Sequence, residues 1–387
     1  MYAPEYRGNS IVNLLASLIR ARGGRSPHPG LWDFPGRAFR TARRAVYLVL
    51  DGLGEYQLRE YLNRVRRSPF FAAHPRRVIT TVFPATTAAA VTTFATGAPP
   101  CEHGILGWHL HLADLGMVST ILIGVTRTGT PMMEPDFPLK KYLRLPSHLE
   151  TVPGRRTLIS YGTIPDSRYS RAGLRWHQTY ACTTLTGLVR QVVAFARGSG
   201  RGLAYAYWPG LDSLCHEYGC FHPKTLKHMA AMDRAMAGLC EFLRGMNTAL
   251  IVTADHGLVD TAPEQCIELR EVPGFFDCLA MLPSGDAREV SCFVRPSKVA
   301  AFLYVARKVL REACLCVEGD RLIREGYFGL GRQHPALAQR VGDYVLIARP
   351  GYAFNTTPPG MPSKFKRGNH GGMSAEEMRV PLYMVIP

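Results

Sequence analysis

The residues of this chain that can do chemistry are carboxylates and imidazoles that lie close together in the sequence. Asp255 and His256 are adjacent, and Asp212 and His216 are four residues apart. Residues at i and i+4 share one face of a helix, so the second pair would offer two ligands from one short segment. Mixed Asp and His ligands suit Zn, with Mn or Fe as alternatives. The two pairs therefore predict a metal site.

Buried strands are needed to bring such pairs together, and three apolar runs have the right length and composition. These runs are residues 45–50, 202–208 and 249–253. A carboxylate follows each run within a few residues: Asp51, Asp212 and Asp255. Ligands of open α/β sheets bind at the carboxyl ends of the strands, so we expect the three carboxylates to meet at one edge.

His370 is a further candidate, because a stretch rich in Pro, Gly and Lys predicts a loop over residues 351–368 just before it. We expect it to be a surface imidazole. Ordinary roles are also open: Asp51 suits a cap for the helix predicted at residues 55–65, and an Asp–His pair fits a solvated helix face. Taken together, the ligands suit two divalent metals that act in displacement at phosphorus. The full set is Asp51, Asp212, His216, Asp255, His256 and His370.

A threonine at the start of a helix is the candidate nucleophile. Small residues after Pro84 predict a helix over residues 86–96, with Thr87 in its first turn. Free backbone N–H groups and the positive end of the helix favour an oxyanion or phosphate there. A nearby metal would lower the pKa of the Thr87 hydroxyl and make it a nucleophile. The alternative is a helix cap with an Ala-rich packing face.

The composition is typical of a soluble globular protein, with 47% hydrophobic and 20% charged residues in a chain of 387. The net charge of +16 would attract anionic partners, but its Arg residues are scattered along the chain, so a solvated basic surface is the preferred interpretation. No basic run is interleaved with aromatic residues as a groove for nucleic acid requires, so nucleic acid is not an expected partner. We expect a small anionic phosphate ester or nucleotide as substrate, attracted in part by the basic residues 364–367.

The ten Cys residues lack the regular spacing of a disulfide framework. The sequence shows no secretory signal and no apolar window that approaches the length of a membrane span. We therefore expect a reduced, cytoplasmic protein that does not contact a membrane. The sequence does not indicate an oligomeric state.

The order of the predicted elements divides the chain into three parts. Residues 1–40 predict an N-terminal helix and loop, and residues 41–262 with 356–387 predict a catalytic α/β core. Residues 263–355 predict a smaller inserted α/β cap. Both connections of the cap leave from the metal edge, so we expect the cap to overhang the site and supply contacts to the leaving group.

The motifs also occur in an order that resembles the alkaline phosphatase superfamily, and within it the type I phosphodiesterase/nucleotide pyrophosphatase branch. The resemblance covers residues 43–387. One of its motifs is a spacing, with Thr87 ten residues before Gly97. The other motifs are residues 49–52, 102–104, 210–219, 254–257 and 370–372, followed by Glu377 and Val380-Pro381. It implies an alkaline-phosphatase-like three-layer α/β sandwich with a largely parallel central sheet and an inserted α/β cap.

The resemblance also implies which residues bind each metal ion and which residue is the nucleophile. Asp212, His216 and His370 would hold one metal, and Asp51, Asp255 and His256 would hold the other, beside Thr87. In the family the matching threonine attacks phosphorus, a phosphothreonine forms, and water releases the product.

The nucleophile motif departs from that of the branch, which usually has Thr-Phe-Pro-Asn. Here Phe83-Pro84 comes early, and counting from it would select Val82, which cannot react. Counting back from Gly97 selects Thr87, with Thr86 as the alternative. The asparagine that holds a phosphoryl oxygen in the branch has no obvious match in this chain.

The expected function is a two-metal hydrolase of phosphate esters, either a phosphodiesterase or a nucleotide pyrophosphatase. A phosphomonoesterase or phosphonate hydrolase on the same metals is the alternative among enzymes. A non-catalytic member that binds nucleotide or nucleic acid is the alternative from another class. The Cys-x-Pro-x-Arg motif of sulfatases does not occur at this helix start. His103, His109 and His111 are left outside the metal set.

Overall fold

The structure is a computed structural model that describes residues 1–131, 139–173 and 175–386. Its strands are β1 (Arg44–Leu50), β2 (Arg76–Thr80), β3 (His109–Leu112), β4 (Met117–Thr120), β5 (Val125–Thr126), β6 (Arg155–Tyr161), β7 (Gln178–Cys182), β8 (Gly202–Trp208), β9 (Thr248–Thr253), β10 (Val259–Asp260), β11 (Cys266–Glu268), β12 (Ser284–Asp286), β13 (Glu289–Cys292), β14 (Cys314–Glu318), β15 (Tyr344–Ala348), β16 (Ala353–Asn355), β17 (Gly368–Asn369) and β18 (Arg379–Val385).

The helices connect and cover these strands. They are α1 (Ile11–Ala21), α2 (Gly36–Thr41), α3 (Glu55–Arg64), α4 (Thr87–Thr96), α5 (Pro100–His103), α6 (Leu139–Leu143), α7 (Arg168–Gly173), α8 (Leu185–Arg197), α9 (Gly210–Tyr218), α10 (Pro223–Leu243), α11 (Val299–Tyr304), α12 (Gly319–Arg324), α13 (Leu337–Val341) and α14 (Ala375–Met378). In the part of the chain that the structure describes, none of them is long and apolar enough to cross a membrane.

A seven-stranded sheet forms the centre of the fold, in the order β2-β18-β9-β1-β8-β6-β7. Strands β9, β1, β8, β6 and β7 pair in parallel, whereas β18 runs antiparallel to both of its neighbours. Every residue of β1, β8 and β9 is buried, as expected for strands covered on both faces. The largely parallel central sheet that the sequence predicted is confirmed.

Helix α1 is built by local sequence signals and packs against this sheet. Ser10 and Asn13 form a reciprocal capping box at its first turn. Its apolar residues, such as Leu14 and Leu18, are fully buried in the same hydrophobic core as strand β1. Burial of an apolar helix stripe against a sheet face is the main source of stability for such a helix.

A second seven-stranded sheet lies beside the first, in the order β14-β15-β13-β12-β3-β4-β5. Its strand pairs are antiparallel. Four strands come from the predicted cap, residues 263–355, and three come from residues 109–126, which the sequence analysis assigned to the core. The predicted division into domains stays a prediction, but the second sheet takes strands from both of these ranges.

A buried ion pair connects the second sheet to the loop that follows His370. Arg288 Nε lies 2.9 Å from Glu377 Oε1, and neither side chain is exposed to solvent. The same carboxylate accepts hydrogen bonds from the backbone N–H groups of Gly372, at 2.7 Å, and Ser374, at 3.1 Å. The pair therefore fixes the loop just after His370 against the second sheet.

Breaking this pair should strongly destabilise the protein. Arg288→Met leaves the buried carboxylate of Glu377 without its charged partner, and such a loss costs about 3–5 kcal/mol. The free energy of unfolding, measured with urea, gives the comparison. Arg244→Met is the matched control, because Arg244 and Glu241 form a largely exposed pair, which contributes little. Equal stability of the two variants would contradict a structural role for the buried pair.

Candidate metal centre

The structure brings the six predicted ligands together as two groups of three. One group is Asp51, Asp255 and His256, and the other is Asp212, His216 and His370. Within each group the ligand atoms lie within 4.8 Å of one another. The two groups are adjacent, because the rings of His256 and His370 stack with their centroids 3.9 Å apart.

The parallel strands of the central sheet explain this convergence. Asp51 follows β1, Asp255 lies two residues beyond β9, and Asp212 is on helix α9, which begins just after β8. Strands β8, β1 and β9 are neighbours and run in the same direction, so their carboxyl ends reach the same edge. The expected meeting of the three carboxylates at that edge is confirmed.

A glycine makes the close approach of these segments possible. Gly52 has a φ of +76°, which L-residues with side chains rarely adopt. A Cβ atom at this position would lie 2.7 Å from Leu258 Cδ1 and 3.1 Å from Asp212 Cα. The backbone N–H of Gly52 also donates to Asp255 Oδ1 at 3.0 Å. The turn at Gly52 therefore lies against Asp255 of one group of candidate ligands and against Asp212 of the other.

Hydrogen bonds orient the carboxylates of Asp51 and Asp255, and one oxygen of each of the three carboxylates remains without a hydrogen-bond partner in the described part of the chain. Asp255 Oδ1 also accepts from the backbone N–H of His256 at 3.0 Å, and the hydroxyl of Tyr207 donates to Asp51 Oδ2. Asp51 Oδ1, Asp212 Oδ1 and Asp255 Oδ2 are buried and have no hydrogen-bond partner among the described residues. Buried polar atoms are normally paired, so these three oxygens have the character of metal ligands.

Two imidazoles are oriented by backbone carbonyls. His216 Nδ1 lies 2.6 Å from the carbonyl of Gly368, and His256 Nδ1 lies 3.2 Å from that of Gly257. Each Nδ1–H is the donor in such a contact, so Nε2 keeps its lone pair on the side of the carboxylates. This is the usual arrangement of a metal-binding histidine.

The electrostatics of the site favour a bound cation. Burial raises the pKa of Asp51 well above its ordinary value, and the nearby charges of Asp255 and Asp212 raise it further. Burial lowers the pKa of His370 well below its ordinary value, and His256 and His216 lower it further. Three buried carboxylates beside neutral imidazoles fit divalent metal ions, which would neutralise them.

His370 differs from its expected environment. The sequence favoured a surface imidazole, but this side chain is only 5% exposed. The reason is local pairing: β17 pairs with β10 just before His370, and Gly371 bridges to Ala85 just after it. The surrounding backbone therefore buries the ring between the two ligand groups.

Thr87 lies beside the first ligand group. It is the first residue of α4, and its Oγ1 is 3.0 Å from His256 Nε2. The preceding residue, Thr86, is fully buried, and its hydroxyl donates to Asp286 Oδ2 at 2.6 Å. Of the two threonines, Thr87 is therefore the one whose hydroxyl faces the candidate metal ligands.

Three further residues lie at the site, and none of them was named as a site residue from the sequence. Asp286 is at the end of β12 in the second sheet, and no motif or spacing in the sequence indicates its approach to Thr86. Tyr207 is on β8, where its alternation with Tyr205 was the available signal. Lys366 belongs to the predicted basic loop, and its Nζ lies 3.4 Å from His216 Nε2.

The three histidines left outside the metal set have other partners. His103 is fully buried, and its Nδ1 accepts from the backbone N–H of Ile105 at 3.0 Å. His109 and His111 are on β3 in the second sheet, where His111 Nδ1 lies 2.8 Å from the carbonyl of Gln339. Among the described residues, none of the three belongs to a group that could hold a metal ion.

A cavity of about 580 Å³ opens beside Asp51, Thr87 and Asp212. Its walls are mostly apolar and include Trp108 and Tyr169. None of the described residues that line it falls within 263–355. Much of the wall comes from segments before β3 and between β4 and β5, and from residues 163–170, which reach into α7. The contribution of residues 263–355 to binding the leaving group stays a prediction.

Comparisons with known proteins identify the family. The family model for type I phosphodiesterase/nucleotide pyrophosphatase matches residues 45–120 and 150–373, which is more than half of the chain. The chain belongs to the type I phosphodiesterase/nucleotide pyrophosphatase family. This finding and the fold confirm the resemblance to the alkaline phosphatase superfamily. A search of curated proteins finds no match.

Solved structures show the same fold. Murine ectonucleotide pyrophosphatase/phosphodiesterase 5, an inactive variant in complex with AMP, is 17% identical with a TM-score of 0.63, covering 88% of this chain and 87% of that chain. Phosphonoacetate hydrolase from Sinorhizobium meliloti 1021, in complex with phosphonoformate, is 17% identical with a TM-score of 0.65, covering 89% and 90%. The human counterpart of the murine protein has a TM-score of 0.61 at 16% identity, covering 88% and 87%.

Loss of one imidazole should remove one metal ion. His216→Ala takes one of three protein ligands from the second group, and the two that remain should not retain the ion through gel filtration. Elemental analysis of zinc-loaded protein should show one ion fewer per chain than in the wild type. His222→Ala, an exposed histidine just beyond α9, is the control and should keep the wild-type content. Equal metal content in the two variants would argue against the second group as a metal site.

Proposed function

We propose that this chain is a two-metal phosphodiesterase or nucleotide pyrophosphatase that transfers the phosphoryl group of its substrate to Thr87. The observation that carries the proposal is the position of Thr87 Oγ1, 3.0 Å from His256 Nε2, where two groups of metal ligands adjoin. Membership of the family supports hydrolysis of phosphate esters, and the ligand groups support dependence on divalent metals.

The proposed reaction has two steps. In the first, Thr87 Oγ1 loses its proton to solvent and forms a bond to phosphorus while the bond from phosphorus to the leaving alkoxide or phosphate breaks. In the second, water attacks phosphorus, the bond from phosphorus to Thr87 Oγ1 breaks, and a proton from the water restores the hydroxyl of Thr87. Divalent ions, proposed to be Zn with Mn or Fe as alternatives, would stabilise the negative charge on the attacking and leaving oxygens.

The start of helix α4 is suited to hold the phosphoryl oxygens. The side chain of Thr86, at the cap position, makes no capping hydrogen bond to the helix, and its hydroxyl donates to Asp286. The N–H groups of the first turn therefore stay available, and the positive end of the helix adds attraction for an anion. These groups are proposed to take the role of the asparagine that has no obvious match in this chain.

The cavity indicates the substrate class. Its volume of about 580 Å³ and its largely apolar walls suit a bulky, partly aromatic group beside the scissile bond. A nucleotide or another aryl phosphate diester would fill it, whereas a small phosphonate would leave most of it empty. This favours diester hydrolysis over the phosphomonoesterase and phosphonate hydrolase alternatives.

Charge near the site fits an anionic substrate. Lys366 lies against His216, and its neighbours Lys364 and Arg367 extend the basic loop. Such charges would attract a phosphate ester and do so less at high salt. A member that only binds nucleotide has no need for Thr87 beside two ligand groups, so the catalytic reading is preferred. Localisation in the cytoplasm stays a prediction.

A substrate panel tests the proposed function. Zinc- or manganese-loaded protein should hydrolyse bis-p-nitrophenyl phosphate and dinucleotides with a higher kcat/KM than p-nitrophenyl phosphate or phosphonoacetate. Release of p-nitrophenol, of nucleotide products and, for phosphonoacetate, of inorganic phosphate gives the rates. A preference for the monoester would favour the phosphomonoesterase, and turnover of phosphonoacetate alone would favour the phosphonate hydrolase.

Removal of the nucleophile should abolish turnover without removing the metals. We expect Thr87→Ala to lower kcat by about 10⁴-fold or more, as other losses of a covalent nucleophile do. Thr86→Ala is the matched control: it removes the hydrogen bond to Asp286 and should have a much smaller effect. If Thr86→Ala instead loses all activity while Thr87→Ala stays active, the nucleophile has been assigned to the wrong threonine.

Truncation of the cavity wall should weaken the binding of bulky substrates more than that of small ones. Trp108→Ala removes a large apolar surface from the cavity, so KM for bis-p-nitrophenyl phosphate should rise by about tenfold or more. The KM for methyl p-nitrophenyl phosphate, with its small second ester group, should change less. An equal change for both substrates would mean that Trp108 does not contact the bulky group.

A further inference from the structure

A further cluster of side chains that could bind a metal ion lies outside the site described above. His28, Glu102 and His148 form the peripheral cluster, and their ligand atoms lie within 4.8 Å of one another. His148 Nε2 is 3.0 Å from Glu102 Oε2, and His28 Nε2 is 3.5 Å from the same oxygen. None of the three residues belongs to the six candidate ligands or to the cavity beside Thr87.

His28 is the member of the peripheral cluster whose chemistry is not accounted for. Its side chain is only 4% exposed, and its Nε2 has no hydrogen-bond partner among the described residues. A buried imidazole nitrogen without a partner costs free energy, so a group that satisfies it is expected. His148 and Glu102 already pair with each other. That pair does not provide a hydrogen-bond partner for His28 Nε2.

The ligand types match one metal in particular. Two imidazole nitrogens and one carboxylate are the protein ligands of many zinc sites that keep an open fourth position. Calcium and magnesium favour all-oxygen ligand sets, so they fit less well. A carboxylate at its ordinary pKa is ionised at neutral pH, as a metal ligand must be.

The loops that carry the two histidines are held in place by their own contacts. The guanidinium of Arg20 donates to the carbonyl of His28. Thr151 Oγ1 accepts from the backbone N–H of Arg25 at 2.7 Å and donates to the carbonyl of His148 at 2.6 Å. Thr151 therefore ties the loop before His28 to the loop of His148, so the ligands are arranged before a metal binds.

The surroundings leave room for a further ligand. A cavity of about 730 Å³ is lined by the three cluster residues and by residues 330–335. Gly331, with a φ of +135°, lets the loop pass close to the carboxylate, since a Cβ there would lie 2.4 Å from Glu102 Oε1. A water molecule in this cavity can complete a tetrahedral site.

From this geometry we propose that His28, Glu102 and His148 bind a zinc ion separate from the proposed catalytic ions. The ion joins three segments that are distant in sequence: the loop after α1, helix α5 and the loop before β6. A metal that binds only the folded state stabilises it, so this ion braces the N-terminal segment against the core. The proposal does not depend on the activity of the protein.

The test counts zinc in a full-length variant whose catalytic groups are disabled. In the Asp255→Asn/His370→Ala background each catalytic group has lost one ligand. After exposure to equimolar Zn²⁺ and gel filtration, this protein should retain one ion per chain by elemental analysis. Adding His148→Ala should reduce the content to zero, whereas adding His177→Ala, an exposed histidine, should leave it at one.

A second variant covers the case in which His148→Ala does not fold. Glu102→Gln keeps the shape of the side chain, and circular dichroism verifies its fold. It should also lose the ion, together with the visible absorption of bound Co²⁺ when cobalt replaces zinc. Zinc content that is the same with and without an intact peripheral cluster would overturn the proposal. Failure of the proposed catalytic function would leave this result unchanged, because the count is made without those ions.

Discussion

The fold depends on one electrostatic constraint, the burial of three carboxylates at one edge of the central sheet. Asp51, Asp212 and Asp255 follow three adjacent parallel strands and are almost completely removed from water. Buried carboxylates that lie close together either take up protons or require cations nearby. The raised pKa of Asp51 reflects this cost of burying negative charge. Two groups of Asp and His side chains adjoin Thr87. In the proposed function divalent metal ions would meet this requirement, and the hydroxyl of Thr87 would be the nucleophile.

The rest of the structure supports that edge. The turn at Gly52 brings the first carboxylate against the second group, and the Arg288–Glu377 pair fixes the loop after His370. The second sheet contributes Asp286, which accepts a hydrogen bond from the hydroxyl of Thr86 at the start of α4. The central sheet and its helices thus carry the proposed metal ligands and the proposed nucleophile. Residues of the second sheet contact the segments that hold them, and its connecting segments line part of the cavity.

Much of this could be predicted from the sequence, because the relevant signals are local. Buried strands ending in Asp, an Asp–His pair at i, i+4 and a threonine after a Pro are visible in a few residues each. The convergence followed from the parallel order of the strands. The approach of Asp286 and the burial of His370 depend on contacts between segments far apart in sequence, for which no local pattern exists. The same is true of the cavity wall, which comes from residues around β3 to β5 and not from residues 263–355.

The most direct measurement is anomalous diffraction from crystals grown with zinc, recorded on both sides of the zinc absorption edge. Two strong peaks are expected at the shared edge of the sheet. One should lie among Asp51, Asp255 and His256, with Thr87 Oγ1 beside it, and the other among Asp212, His216 and His370. Well-ordered crystals in which these six side chains hold no ion at saturating zinc, or in which only one group is occupied, would contradict the proposal of two metal ions.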